Sequence, residues 1–556
     1  LWLRPVVPPE KHNIVFRTFN RLYMPIELRY TAFIGWMTER AAIATVVAVI
    51  GVVLAIVGLT RIPTAFLPLE DQGYMLVAVT LPDGASLPRT QAALDDVSRR
   101  VHSVPGVAQV LTIAGVSPLD NNASLSNAGV AYVILKDWSE RGRGEDLLGT
   151  YNNLNRALEP VTEAETLVIP PPAIQGIGNS GGFTMMAELR NASFDYAQLQ
   201  ATTRAIVARA NAQSSLAHVA STFRAGAPQF HVDIDRTKAA TLHVALNDVF
   251  QALSGYLGSA YVNQIVTFGR VNQVYVQADS TFRARPEDIA RLSVRSSDGN
   301  MIPLGSLVTV KPVSAPALIS LYNLYPAATI LGQPAPGFSS GQALSLMDEI
   351  AGSVVPPGTA TDWTAMSYQE KLAGPQVYLA FGLAMLLVYL VLAGQYESWI
   401  APATVILSVP LALLGPVITL DAVGAANNLY VQIGLVLLIA LASKNAILVV
   451  GVAREHRAEG MSIHDSAVAA AKARFRPIMM TSFAFILGVL PLVLATGASA
   501  NARRSLGISV ASGMLASTCL AVLFVPSFFV VLQRFAERSR LGKDAGSNEV
   551  SRQAHR

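Results

Sequence analysis

The twenty residues from 41 to 60 carry no charge and are bracketed by Arg40 and Arg61. A helix of that length crosses the roughly 30 Å hydrocarbon core of a bilayer. Backbone in lipid can satisfy its own polar groups only as a helix or a closed barrel, so the run predicts a membrane-spanning helix. Apolar runs of similar length recur at 377–394, 400–420, 430–452, 478–497 and 506–532, uncharged but for Lys444 in the third of these. With 52% hydrophobic and only 14% charged residues, the chain is read as an integral membrane protein and not a soluble globular one. Six spans bring three basic clusters to one side. The first is Arg4, Lys11, Arg17, Arg21, Arg29 and Arg40, the second Arg454, Arg457, Lys472, Arg474 and Arg476, and the third Arg534, Arg538, Arg540 and Lys543. By the positive-inside rule that side is cytoplasmic, so residues 62–371 face outward. Arg503 and Arg504 oppose the rule locally and are outnumbered.

Lys444 is the sole charge between residues 422 and 453. A lysine near a bilayer midplane costs about 2.5–3.5 kcal/mol on insertion scales, and such charges mark function. It needs a carboxylate, a watery cavity or a shifted pKa, and no other span supplies an interior Asp or Glu. Its counter-ion is therefore expected on another polypeptide or on a part outside this sequence. The chain begins at Leu1 without a signal-peptide pattern, which reads as a start inside a longer protein. The net charge of +4 does not point to nucleic acid, because the basic residues cluster beside the spans. A single Cys519, in an apolar run, excludes a disulfide framework and a cysteine metal site. The eight histidines show no ligand spacing, so no metal site is assigned.

Before the first span, Phe16, Phe19, Leu22 and Tyr23 share one helical face beside Arg17 and Arg21, the pattern of a helix lying in the membrane interface. The outer segment alternates strand and helix patterns. Strands are expected at 74–81, 107–114, 129–135 and 166–169 and helices at 87–104 and 147–158, the β-α-β-β-α-β order of the ferredoxin-like plan. A second copy begins with a strand at 183–189, a helix at 196–213 and a strand at 218–223. It resumes with a strand at 327–332, a helix at 341–354 and a strand at 359–363. Between its halves lies an insert, 228–313, with strands at 230–234 and 271–278 and a helix at 246–256.

At this point the residues resemble a known family. FLPLEDQGY at 66–74, GVAYVILKDW at 129–138, PQFHVDIDRTKAATLHV at 228–244 and GSAYVNQIVTFGRVNQVYVQAD at 258–279 are similar to the second half of a resistance-nodulation-division (RND) transporter. So are DWTAMSYQEKL at 362–372, GQYESW at 394–399, SKNAILVV at 443–450 and RPIMMTSFAFILGVLPLV at 476–493. The branch is the hydrophobe/amphiphile multidrug efflux branch of acriflavine-resistance type. The resemblance implies an α-helical membrane bundle, six of twelve duplicated spans, with a large α+β periplasmic region of two ferredoxin-like porter subdomains and an inserted docking module. The implied parts are 1–40 (end of a preceding span and interfacial helix), 41–61 (span), 62–177 (first porter unit), 178–227 with 314–371 (second unit), 228–313 (docking insert), 372–533 (five spans) and 534–556 (basic tail).

By the same resemblance Lys444, Arg474 and Thr481 belong to a proton relay whose aspartates lie in the half not represented here, with Asn445 as a neighbour able to polarise the cavity. Without the resemblance, Arg474 also reads as a positive-inside loop residue and Thr481 as a hydroxyl bonded to its own helix. A carboxylate that takes up a proton releases the lysine, and each charge moved through 100 mV is worth about 2.3 kcal/mol, enough to bias helix packings. The implied substrate pocket falls on Leu111, Val116, Pro118, Tyr132, Leu167, Ile169 and Arg224, with a mobile Gly/Ser/Asn-rich loop at 114–129. Only Tyr132 is aromatic among them, which keeps an apolar lining but removes stacking surface. The resemblance implies a non-enzymatic drug:proton antiporter of the Gram-negative inner membrane, driven by the proton gradient without a cofactor. Its expected partners are the N-terminal half, a homotrimer, a periplasmic membrane-fusion adaptor, an outer-membrane channel, membrane lipid and hydrophobic or amphiphilic small molecules. The competing readings are an inactive truncated half-transporter, a heavy-metal exporter, and a membrane-anchored periplasmic sensor.

Overall fold

The computed structural model describes residues 14–553 apart from 179–180 and 192–193, so the reading of residues 1–9 as the end of an earlier span lies outside the described residues. Helix α1 (Ile14–Glu39) leads into the first span, α2 (Ala41–Arg61). The side chains of Phe16, Phe19 and Leu22 also lie outside the described ones. On α2 the buried residues are Ala41, Ala44, Ala48 and Ala55, one small-residue stripe, while Ile43, Val46, Val47, Ile50 and Leu54 face outward. Small residues let helix backbones approach in lipid, and the larger ones suit contact with acyl chains.

The first outer unit comprises β1 (Tyr74–Thr80), α3 (Leu87–His102), β2 (Val107–Ser117), β3 (Ala123–Leu135), α4 (Leu147–Leu158) and β4 (Glu165–Ile169). Its antiparallel sheet has the order β2-β3-β1-β4. Strand β1, YMLVAVT, is apolar on both faces because both are covered. Met75, Val77 and Val79 meet Leu94, Val97, Val101 and Leu154 of α3 and α4, while Leu76 and Ala78 lie on the opposite face with Val130 and Ile169. In α3 the buried Thr90, Ala93, Leu94, Val97 and Val101 recur at helical spacing.

The second unit starts with β5 (Phe183–Leu189), α5 (Tyr196–Asn211) and β6 (Leu216–Ala220). The insert follows, with β7 (Ala227–Ile234), α6 (Arg236–Thr241), α7 (Leu246–Leu253), the hairpin β8 (Ala260–Thr267) and β9 (Arg270–Val276), then β10 (Ser293–Arg295), β11 (Met301–Pro303) and β12 (Val308–Ala315). β12 pairs with β7 and closes the insert. The chain then completes the second unit with β13 (Ser320–Tyr322), β14 (Tyr325–Pro334), α8 (Ser340–Val354) and β15 (Thr359–Trp363). β14 pairs with β5 and β6, and β15 with β5, which gives the strand positions of the first unit again.

Five more apolar helices follow. They are α9 (Ala365–Tyr396), a third span over Ala401–Val423 broken into α10 (Ala401–Ile406), α11 (Val409–Ala412) and α12 (Leu414–Val423), then α13 (Leu429–Ala458), α14 (Ile463–Val493), and a sixth span made of α15 (Ala500–Ala516) and α16 (Val522–Gln553). Pro402, Pro410 and Pro416 each lack a backbone donor, which accounts for the broken third span. Three features differ from expectation. α14 starts at Ile463, so Arg474 lies inside the helix and not in a loop. The segment 114–129 is mostly ladder, with Val116 opposite Ser124 and Ser117 opposite Ala123. Its turn consists of Pro118–Asp120 and of Asn121 and Asn122 at φ 51° and 59°, a conformation asparagine tolerates. Serine and asparagine there fill the exposed side of a strand; composition alone reads them as a loop. The insert helix stops at Leu253, short of 256, and passes into a wider helical turn over Ser254–Gly258.

Candidate functional site

Lys444 lies midway along α13 on a stripe of outward residues that includes Ile433, Val436, Leu437 and Ala440. Among the described residues it makes no hydrogen bond or ion pair. Asn445, one residue on, is rotated about 100° around the helix, is 3% exposed, and has an Nδ2 with no acceptor among the described residues. The structure therefore separates Asn445, inside the bundle, from Lys444, on its surface. α14 packs against α13. There Thr481 is exposed and donates to Ile478 O (3.1 Å). Arg474, two turns away, is half-buried with an Nε that meets no acceptor among the described residues. The outward face of α13 and α14 thus presents a cation and a hydroxyl among apolar residues such as Phe483 and Leu487. A protein surface with an acidic group satisfies such a face; lipid alone does not.

Of the residues assigned to a substrate pocket from the sequence, Leu111, Tyr132 and Ile169 share the sheet face away from α3 and α4, with Leu167 beside them. Leu111 stands opposite Tyr132, Tyr132 opposite Leu76, and Leu76 opposite Ile169, a single row across four strands. Leu167 and Leu119 pack beside it. Leu111 is 56% exposed, whereas Ile169 and Pro118 are buried. Two polar ties cross from this unit to the second. Thr222 Oγ1 donates to Asp120 Oδ1 (2.6 Å), whose Oδ2 also accepts from Ser117 Oγ (2.7 Å), and Arg224 pairs with Glu165 (3.2 Å). The space between them is only about 50 Å³.

A larger cavity, about 620 Å³, lies where the two units meet the outer ends of the spans. Phe66, Tyr151, Phe183, Phe338, Met366, Leu420, Glu370 and Arg504 line it. Nothing in the sequence pattern marked Glu370, whose Oε1 accepts from Ser340 Oγ (2.8 Å), or Glu70, whose carboxylate accepts from the amides of Asn501 (3.3 Å) and Ala502 (2.6 Å). Burial raises the Glu70 pKa, against the lowering effect of those two amides and of Arg503. Both acids sit outside the apolar runs, and their partners are distant in sequence. Among the described residues no cluster of three or more potential metal ligands occurs.

Six membrane-length helices, two α/β units of repeated topology and a lysine midway along an apolar helix define an integral membrane protein with a large α/β region. The profile of the AcrB/AcrD/AcrF family matches residues 2–533, and the chain belongs to that family of RND transporters. It is 36% identical over 539 residues to the antibiotic efflux pump membrane transporter ArpB of Pseudomonas putida, covering 95% of this chain and 50% of that protein. It is also 36% identical to the toluene efflux pump membrane transporter TtgB of Pseudomonas putida (95% of this chain, 50% of the relative). Identity to the multidrug export protein AcrF of Escherichia coli is 37% (96% and 52%). The chain spans about half the length of these curated relatives. Membership places it in the inner membrane of a Gram-negative bacterium, with its large β-rich region outside the bilayer.

Proposed function

We propose that this chain is part of the inner-membrane subunit of an efflux pump that exports apolar and amphiphilic compounds in exchange for protons. The observation that carries the reading is Lys444, unpaired on the outward face of α13 in a chain of this family. In this mechanism an acidic helix outside the described residues packs against α13 and α14, and its carboxylates pair with Lys444. Arg474 and Thr481 supply further polar contacts, while Asn445 acts from the bundle interior. Proton uptake breaks the ion pair and repacks the helices. Substrate occupies the sheet face around Leu111, Val116, Pro118, Tyr132, Leu167 and Ile169, at a mouth bordered by Arg224, and reaches it from the cavity above the spans. The two outer units act as ferredoxin-like porter subdomains of a twelve-span assembly. The functional unit is a homotrimer, joined to a periplasmic adaptor and an outer-membrane channel.

The test is drug susceptibility of a pump-deficient host that expresses the complete transporter. Lys444→Ala is expected to abolish resistance at unchanged membrane abundance; full resistance would overturn the proton relay. A second reading, that this chain is inactive by itself, is favoured by the lack of a counter-ion for Lys444 among the described residues. Export by the 556-residue chain with no other polypeptide would overturn it.

A further inference from the structure

Between the first span and the first outer unit the chain runs through residues 63–70, and this segment is bonded to several separate parts of the molecule. Pro63 O accepts from Asn427 N (2.8 Å), Ala65 N donates to Asn427 O (3.2 Å), and Leu429 N donates to Phe66 O (2.9 Å). The segment therefore lies strand-like against the start of α13, the helix that carries Lys444. Gly341 N, at the start of α8 in the second unit, donates to Thr64 O (3.2 Å), and Phe66 N donates to Ser340 Oγ (3.4 Å). A Cβ on Gly341 would stand 2.7 Å from Thr64 O, so this approach admits only glycine. At the far end Glu70, 5% exposed, accepts from two amides of the first turn of α15, and Asn501 Nδ2 returns a bond to Leu69 O (2.7 Å).

We propose that residues 63–70 form a relay strap, pinned by Glu70, through which a shift of α13 reaches both outer units. A flexible linker would absorb such a shift. A segment bonded at successive residues moves with what it is bonded to. Glu70 is its positioning residue: the free amides of a helix N-terminus hold a carboxylate in place, and releasing it would leave buried polar groups unpaired. The proposal rests on the reading above that α13 moves during function.

Hydrogen–deuterium exchange of the full chain in lipid nanodiscs tests it, with Glu70→Ala, Glu70→Gln, and Asp146→Ala as a control cap on α4. For Glu70→Ala, exchange is expected to rise about tenfold at 63–70, 339–343 and 427–431 as well as at 500–504, with α3 and α5 unchanged. Glu70→Gln falls between, and Asp146→Ala affects α4 alone. A rise confined to 500–504 would make Glu70 an ordinary helix cap and overturn the strap. An even rise that includes α3 and α5 would overturn it too, as general loosening. If the strap responds as expected while Lys444→Ala still exports drug, the proton-relay reading fails and the relay with it, and residues 63–70 remain only a structural tie.

Discussion

The side chain of Lys444 leaves α13 on the same face as Ile433 and Leu437, where none of the described residues pairs with it. In a bilayer that position costs up to about 2.5–3.5 kcal/mol. Lys444→Leu is therefore expected to raise the thermal midpoint of this chain in nanodiscs by several degrees, read by tryptophan fluorescence, although the same change abolishes export by the complete transporter. An unchanged midpoint would mean that the lysine is compensated within the chain. The lysine could be found from sequence because a single charge in an apolar run is conspicuous. Glu70 could not: it is one of many acids in an outer segment, and its partners Asn501 and Ala502 lie 431 and 432 residues away. Asn445 shows the other limit. Adjacency in sequence suggests a shared cavity, whereas the helical rotation puts the two side chains on different faces.

The hairpin of β2 and β3 has a tip held in two ways: Leu119 packs on the sheet face and Asp120 binds Thr222 of the second unit. A hydrogen bond to a charged acceptor contributes about 1.5–3 kcal/mol when shielded and less at a partly exposed site. Thr222→Val keeps the side-chain volume and removes the donor. It is expected to speed amide exchange at 118–123 several-fold without lowering the thermal midpoint of either unit. No change would mean that Leu119 alone holds the tip. The order of strands and helices in both units was legible because β1 is a short apolar run bounded by turn residues and α3 keeps helical spacing. The tip was not, since its serines and asparagines serve a ladder's outer face as readily as a loop. The start of α14 was hidden for a related reason. Its first turns, outside the apolar run, carry Lys472, Arg474 and Arg476, residues that favour helix yet mark the end of a span by hydropathy.

At the scale of the molecule, each buried cluster of the outer region belongs to one unit, and the β8–β9 hairpin belongs to none. Every residue of β8 is exposed, Phe268 at its tip is fully so, and Tyr261 meets Tyr275 edge to face at 5.6 Å. A lone two-stranded hairpin is marginally stable in water, and contiguous exposed apolar residues such as Val262, Ile265 and Val266 mark a contact surface. Neither face of the hairpin is buried by the described residues, so a covering surface on another molecule is expected. In the homotrimer proposed above, that surface is a second copy. Val266→Asp combined with Phe268→Asp places two charges in the contact while leaving the ladder bonds and the membrane bundle intact. Purified in mild detergent, the variant is expected to run as a monomer by light scattering under conditions where the unmodified chain self-associates, with the same helix content by circular dichroism. Equal masses for the two would remove the hairpin from the interface.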